Sequence, residues 1–153
     1  MKIIAVVMLF LMTTAAGAAT LESKDAAKKL TDQVMAKVAS GDIEGGLILM
    51  KPYTIIPESE FNVMLEQTKL QLPLMQGRFG KILGAEFIKE MTVGKSLLKI
   101  VQIQKFEKHI MRWSFIFYSP DGKWVLNSFN FDDNIRSMFE EQSQSGRRVG
   151  GAR

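Results

Sequence analysis

The spacing of apolar residues changes period along this chain, and the change divides it into two kinds of structure. Over residues 23–39, SKDAAKKLTDQVMAKVA, Ala26, Leu30, Val34 and Val38 recur at helical spacing with Lys and Asp opposite them, which predicts an amphipathic helix. Ser23 or Asp25 can cap it, and Ser40-Gly41-Asp42 ends it, with Gly41 at the left-handed position. A shorter helix is predicted over Ile43 to Met50. Gly45 and Gly46 weaken it, each by about 1 kcal/mol relative to alanine, and paired glycines also let another helix approach closely. Lys51-Pro52-Tyr53 stops it. A third helix starts near Pro57, where Glu58 and Glu60 complement the positive end of the helix dipole. Phe61, Met64, Leu65, Thr68, Leu72 and Met75 form its buried stripe. Pro73 removes a backbone donor, so a kink or an end is expected near Leu72, with Gly77, Gly80 and Gly84 in a turn region beyond it.

From there the period falls to two. Strands are predicted over 85–93, 96–107, 110–118 and 123–131. Turns fall at Gly94, at Lys108-His109, and at Ser119-Pro120-Asp121-Gly122, where Pro and Asp-Gly preset the dihedrals. In the third strand Met111, Trp113, Phe115 and Phe117 share one face. Strict alternation puts Val125, Asn127, Phe129 and Phe131 on one face of the fourth strand, and Trp124, Leu126, Ser128 and Asn130 on the other. One sheet face is therefore fully apolar and suited to packing on the helices. The opposite, mixed face keeps Ile116, Tyr118, Trp124 and Leu126, an apolar excess that predicts either a dimer contact or a sheet curled to shield it. The fold class is α+β: N-terminal helices packed on one face of a curved four-stranded antiparallel meander.

Composition adds the cellular context. MKIIAVVMLFLMTTAAGAA, residues 1–19, has the form of a secretory signal peptide: Lys2, a ten-residue apolar run from Ile3 to Met12, then small residues for cleavage after about Ala18 or Ala19. The run is too short to span a bilayer, so no stable membrane anchor is expected once it is removed. A periplasmic or secreted location follows, with a single domain over residues 20–142. The chain has no cysteine, so stability outside the cytoplasm would come from packing alone. The formal net charge of +4 comes from Lys2 and from Arg147, Arg148 and Arg153 in SQSGRRVGGAR, residues 143–153, which is predicted to be a disordered basic tail. The body between is balanced, so no nucleic-acid partner is expected.

Helix, short helix, longer helix and a curved meander resemble the cystatin-like cone fold of the ketosteroid-isomerase and nuclear-transport-factor superfamily. Several segments also resemble a group of small exported bacterial proteins of unknown function: Gly41-Asp42, Pro57-Glu58-Ser59-Glu60-Phe61, Gly84-Ala85-Glu86-Phe87, Phe106-Glu107-Lys108-His109 with Arg112-Trp113, and Trp124-Val125-Leu126-Asn127-Ser128-Phe129 with Asp132-Asp133. The resemblance covers most of residues 23–135. It implies a fold and an export route, and no activity.

Candidate chemistry is sparse. In the isomerase branch a desolvated carboxylate and a tyrosine act inside the cone, and here Tyr53, Asp42, Glu86 and Asp132 are the groups that would have to meet. His109 is the only histidine, and with no cysteine no metal-ligand spacing is present. No cofactor is implied. Met35, Met50, Met64, Met75, Met91, Met111 and Met138 sit at core-like positions, where methionine fills gaps. Arg112 on the mixed face, near Ser114, Ser128 and Asn130, suits an anion or a cross-strand ion pair with Glu86, Glu90 or Glu107. Asp132 or Asp133 is expected to cap a short helix from Ile135 to Glu141. The reading is a binding or interaction module, more a non-enzyme than an enzyme. Tyr53, Glu86, Arg112, Trp124 and Asn130 are its ligand-binding candidates, and a small apolar ligand or a homodimer through the sheet is its partner. The alternative is an isomerase- or hydrolase-like enzyme using a carboxylate and Tyr53 in the cone.

Overall fold

A computed structural model describes residues 17–140. The expected basic tail lies outside these residues, as does the expected leader apart from its last three positions. Helix α1, Lys24–Ala39, begins at Ser23, whose Oγ accepts the Ala26 N–H at 3.1 Å. Its buried stripe holds Ala27, Leu30, Thr31, Val34, Met35 and Val38. Gly41 carries the positive φ that turns the chain into helix α2, Ile43–Met50. A Cβ on Gly46 would stand 3.0 Å from Val38 Cγ2 and 3.1 Å from the Val34 carbonyl. The second glycine of the pair therefore sets the α1–α2 approach. A 3-10 turn over Lys51–Tyr53 leads on to α3, Glu58–Phe79.

Of the kink or end expected near Leu72, the end does not occur: α3 runs through Pro73 to Phe79. Gln71, Pro73 and Leu74 are exposed, so the proline ring lies on the water side of the helix, away from the face that Leu72 packs on the core, and this tempers the cost of an interior proline. The turn is correspondingly short. Gly77 is helical, Gly80 ends the helix at φ 83°, and the strand begins at Ile82. The tip of the β2–β3 hairpin locks this corner. Glu107 Oε2 accepts the Lys81 N–H at 3.0 Å, and the Glu107 and Lys108 N–H groups donate to the carbonyls of Lys81 and Phe79.

The sheet is an open antiparallel meander, β1 Ile82–Val93, β2 Leu97–Phe106, β3 Ile110–Tyr118 and β4 Val125–Asp132, in the order β1-β2-β3-β4. Its inner face carries Leu98, Ile100, Trp113, Phe115 and Phe117, all fully buried. Two glutamines on that face tie α1 down. Gln102 Nε2 donates to Thr31 Oγ1 at 3.1 Å and Asp32 Oδ1 at 2.9 Å, and Gln104 Nε2 donates to the Val38 carbonyl at 3.3 Å. Helix α3 crosses the same face from Phe61, whose ring meets Phe129 at 6.2 Å, to Phe79, which meets Phe106 edge-on at 5.5 Å.

Strict alternation fails in β4. The register runs Ile116↔Ser128 and then Phe117↔Leu126, which leaves Asn127 as the extra residue of a bulge. One unpaired residue shifts the phase by one and exchanges the faces beyond it. Leu126 and Trp124 therefore join the core, with Leu126 fully buried and Trp124 nearly so. This corrects their expected place on the mixed face and removes two of the four apolar residues that predicted a dimer contact there. The outer face is also partly covered. Residues 135–140 are helical, and Ser137 Oγ accepts from Arg112 Nη1 at 2.6 Å, which holds that helix against the sheet.

Candidate functional site

The five candidate residues do not form one site. Tyr53 is half-buried at the end of the 3-10 turn and packs on the core. The next residue, Thr54, forms a bridge to Leu126, and Trp124 forms one to Leu21, so Tyr53 and Trp124 both lie where β4 begins. Lys24 Nζ stands 5.9 Å above the Trp124 ring. Glu86 is exposed on β1 and pairs with Lys105 at 3.3 Å.

Only Arg112 and Asn130 are brought together, at the far end of β4. Arg112 Nη2 donates to Asp132 Oδ2 at 2.7 Å, and Asn130 Nδ2 donates to the same oxygen at 3.0 Å. Arg112 and Asp132 stand directly opposite each other across strands, so Asp132 takes the place expected for Glu86, Glu90 or Glu107. The cap of the last helix also differs from expectation. Asn134 Oδ1 accepts the Ser137 N–H at 3.3 Å, while Asp132 Oδ1 accepts the Asn134 N–H at 3.0 Å.

Beside this cluster, between the last turns of α3 and the ends of β3 and β4, lies a cleft of about 500 Å³. Met75, Phe79, Met111 and Phe131 form its floor, with Gln71, Leu74, Arg78, Asp132 and Asp133 around its edge. The rim is held by charge: Asp133 Oδ2 lies 3.4 Å from Arg78 Nη1 and 3.9 Å from His109 Nε2. His109 lies at the predicted Lys108-His109 turn. It is half-buried, with its ring edge-on to Phe79 at 4.8 Å. Beneath the floor, Phe131 stacks on the fully buried Trp113 at 4.6 Å. Four apolar side chains under a few fixed polar groups match the usual make-up of a small-molecule pocket, and the volume lies within the usual range.

Sequence reasoning missed the cleft because its two walls are far apart in the chain. The one available signal was the apolar pair Met75 and Phe79 at helical spacing, beyond a proline that appeared to end the helix. Among the described residues every Asp and Glu is exposed or half-buried, and Tyr53 is not part of the cleft lining. The desolvated carboxylate beside Tyr53 that isomerase-like chemistry would need is therefore not found among them. Nor do the described residues hold a group of three His, Cys, Asp or Glu side chains placed to bind a metal ion.

No family model matches the chain, and no curated protein matches it. Among solved structures, it is similar to a protein from Campylobacter jejuni provisionally described as an NTF2-like transpeptidase. The TM-score is 0.40 and the identity 15%, over 69% of this chain and 96% of that one.

Proposed function

We propose that this chain is a non-enzymatic module that binds a small apolar molecule in the cleft between α3 and the ends of β3 and β4. The observation that carries this reading is the apolar floor of Met75, Phe79, Met111 and Phe131 in a space of about 500 Å³, with its charges confined to the rim. An apolar ligand would displace water from those four side chains, at about 25 cal/mol per Å² of apolar surface removed from water, and Arg78 and Asp133 would orient any polar end.

We further propose that the protein is exported and loses its leader after Ala18 or Ala19. Support comes from where packing begins. Leu21 is buried and exchanges both backbone hydrogen bonds with Trp124 at 2.8 Å, so cleavage at either position leaves the core whole. N-terminal sequencing of the exported protein tests this, and an N-terminus at Met1 would overturn it.

Cleft binding is tested by titrating the full chain with 8-anilinonaphthalene-1-sulfonate while following probe fluorescence, alongside native mass spectrometry of the purified protein. Met75→Glu is expected to lower probe binding about tenfold or more, because it puts a carboxylate on the apolar floor, which the anionic probe avoids. Leu70→Glu, on the opposite side of α3, is expected to leave it unchanged. No probe binding, or equal binding by Met75→Glu, would overturn the reading.

A further inference from the structure

Helix α3 has two apolar stripes, and the core uses one of them. Phe61, Thr68 and Phe79 are buried, with Met64, Leu65, Leu72 and Met75 packed beside them. Val63, Leu70 and Leu74 lie on the other side, 58%, 79% and 75% exposed. They are seven and four residues apart, so they stack along one line of the helix surface. Glu60 extends that line at one end, and Gly77 and Arg78 extend it at the other. An amphipathic surface helix ordinarily turns charge to water along this line.

We propose that this outward face of α3 is where two copies of the chain pair, antiparallel, about a two-fold axis passing near Gln67 and Leu70. A two-fold contact must be self-complementary, and this face is. Antiparallel pairing sets Val63 of one copy against Leu74 of the other, and Leu70 against Gln67. It also brings Glu60 at the acidic end of the face to Gly77 and Arg78 at the basic end of the second copy, where Arg78, 72% exposed, would be shared between Glu60 and its own Asp133. Gly77 has nothing within 4 Å of where a Cβ would stand, so the second helix can approach closely there. Glu60 is exposed and takes no part in the ion pairs that tie Glu58 to Lys51 and Glu66 to Lys69. The seam from Glu60 to Arg78 is about 27 Å long, a small contact, so the dimer is expected to be weak and concentration-dependent. This pairing uses a helix face and leaves the sheet free, and it shares Leu74 and Arg78 with the edge of the cleft while its centre at Val63, Gln67 and Leu70 lies outside the cleft.

The test is sedimentation equilibrium of the processed full chain over a range of micromolar concentrations, with circular dichroism to confirm folding of each variant. The wild type is expected to dimerise reversibly. Leu70→Glu, at the most exposed position, is expected to weaken dimerisation at least tenfold with an unchanged melting curve. Glu60→Arg is expected to weaken it as well, and the double variant Glu60→Arg/Arg78→Glu to restore it, because each end of the seam then again meets its opposite charge. The proposal is overturned if the wild type is monomeric throughout. It is equally overturned if the wild type floats with phospholipid vesicles as a monomer, if Leu70→Glu pairs as well as wild type, or if Tyr118→Glu on the sheet is what breaks the dimer.

Discussion

At the turn between α1 and α2, one carboxylate serves two partners. Asp42 Oδ1 accepts the Gly45 N–H at 2.8 Å, and Oδ2 receives Lys37 Nζ at 2.9 Å. Both interactions favour the charged form. The Lys37 ammonium, first, and the Gly45 N–H hold the carboxyl below its usual value of 3.8. A group whose folded pKa is lowered adds stability that is present above the unfolded pKa and lost as pH falls through the folded one. The Asp42 contribution should therefore persist at neutral pH and fade below about pH 4. Asp42→Asn keeps a side-chain oxygen for the cap but gives up the charge. It should melt slightly below wild type at neutral pH, and its Tm should fall less between pH 5 and pH 3. Asp42→Ala should melt lower still, because the cap is lost as well. Thermal melts at the two pH values check the series, and equal pH sensitivity of wild type and Asp42→Asn would assign the acid sensitivity to other groups.

Among the elements, β4 shows how one residue can redirect a strand. Deleting Asn127 would remove the bulge and join Leu126 directly to Ser128, so ordinary alternation would keep Leu126 opposite Phe117, with Leu126 and Trp124 still turned to the core. Turning those two side chains to water would instead cost several kcal/mol, at about 2–5 kcal/mol for each large buried residue. The expected outcome is therefore a folded variant whose tryptophan emission keeps the wild-type maximum. An unfolded variant, or one with red-shifted emission, would mean that the bulge does more than set the phase of β4. The same residue marks the limit of what the sequence discloses. The stripe Leu30, Val34 and Val38, the close approach at Gly46 and the inward face of β3 follow from spacing alone, because each depends on near neighbours in the chain. The bulge depends on how β4 meets β3 across a turn, and the passage of α3 through Pro73 depends on which side of that helix meets water. The Arg112–Asp132 pair follows from the bulged register, and so could not be anticipated. The cleft floor needed all three to be right before Met111 and Phe131 could be set beside Met75 and Phe79.

On the scale of the whole molecule, the sheet is covered on both sides, unequally. Helices α1 and α3 fill the inner face. The outer face has the helix at residues 135–140, and its small residues lie beneath longer neighbours: Val101 is 1% and Ser114 4% exposed although both point outward. Arg112 joins strand to helix, because its side chain, 13% exposed, reaches both Asp132 and Ser137. Arg112→Met keeps the length of the apolar stem and removes the hydrogen bonds, leaving Asp132 and Ser137 without that donor. A hydrogen bond to a charged group contributes about 1.5–3 kcal/mol, so the final helix should loosen before the sheet does. Hydrogen exchange at residues 134–140 should accelerate by at least tenfold, while exchange in β2 and β3 stays close to wild type. Because the Asp132 and Asp133 rim of the cleft lies between the sheet and this helix, probe affinity should fall in the same variant although no floor residue has changed. Unchanged exchange at 134–140 would mean that packing around Met138 holds the helix and that the arginine is secondary. Faster exchange with unchanged probe affinity would separate the rim from the strap, and would place the whole of the binding energy on the apolar floor.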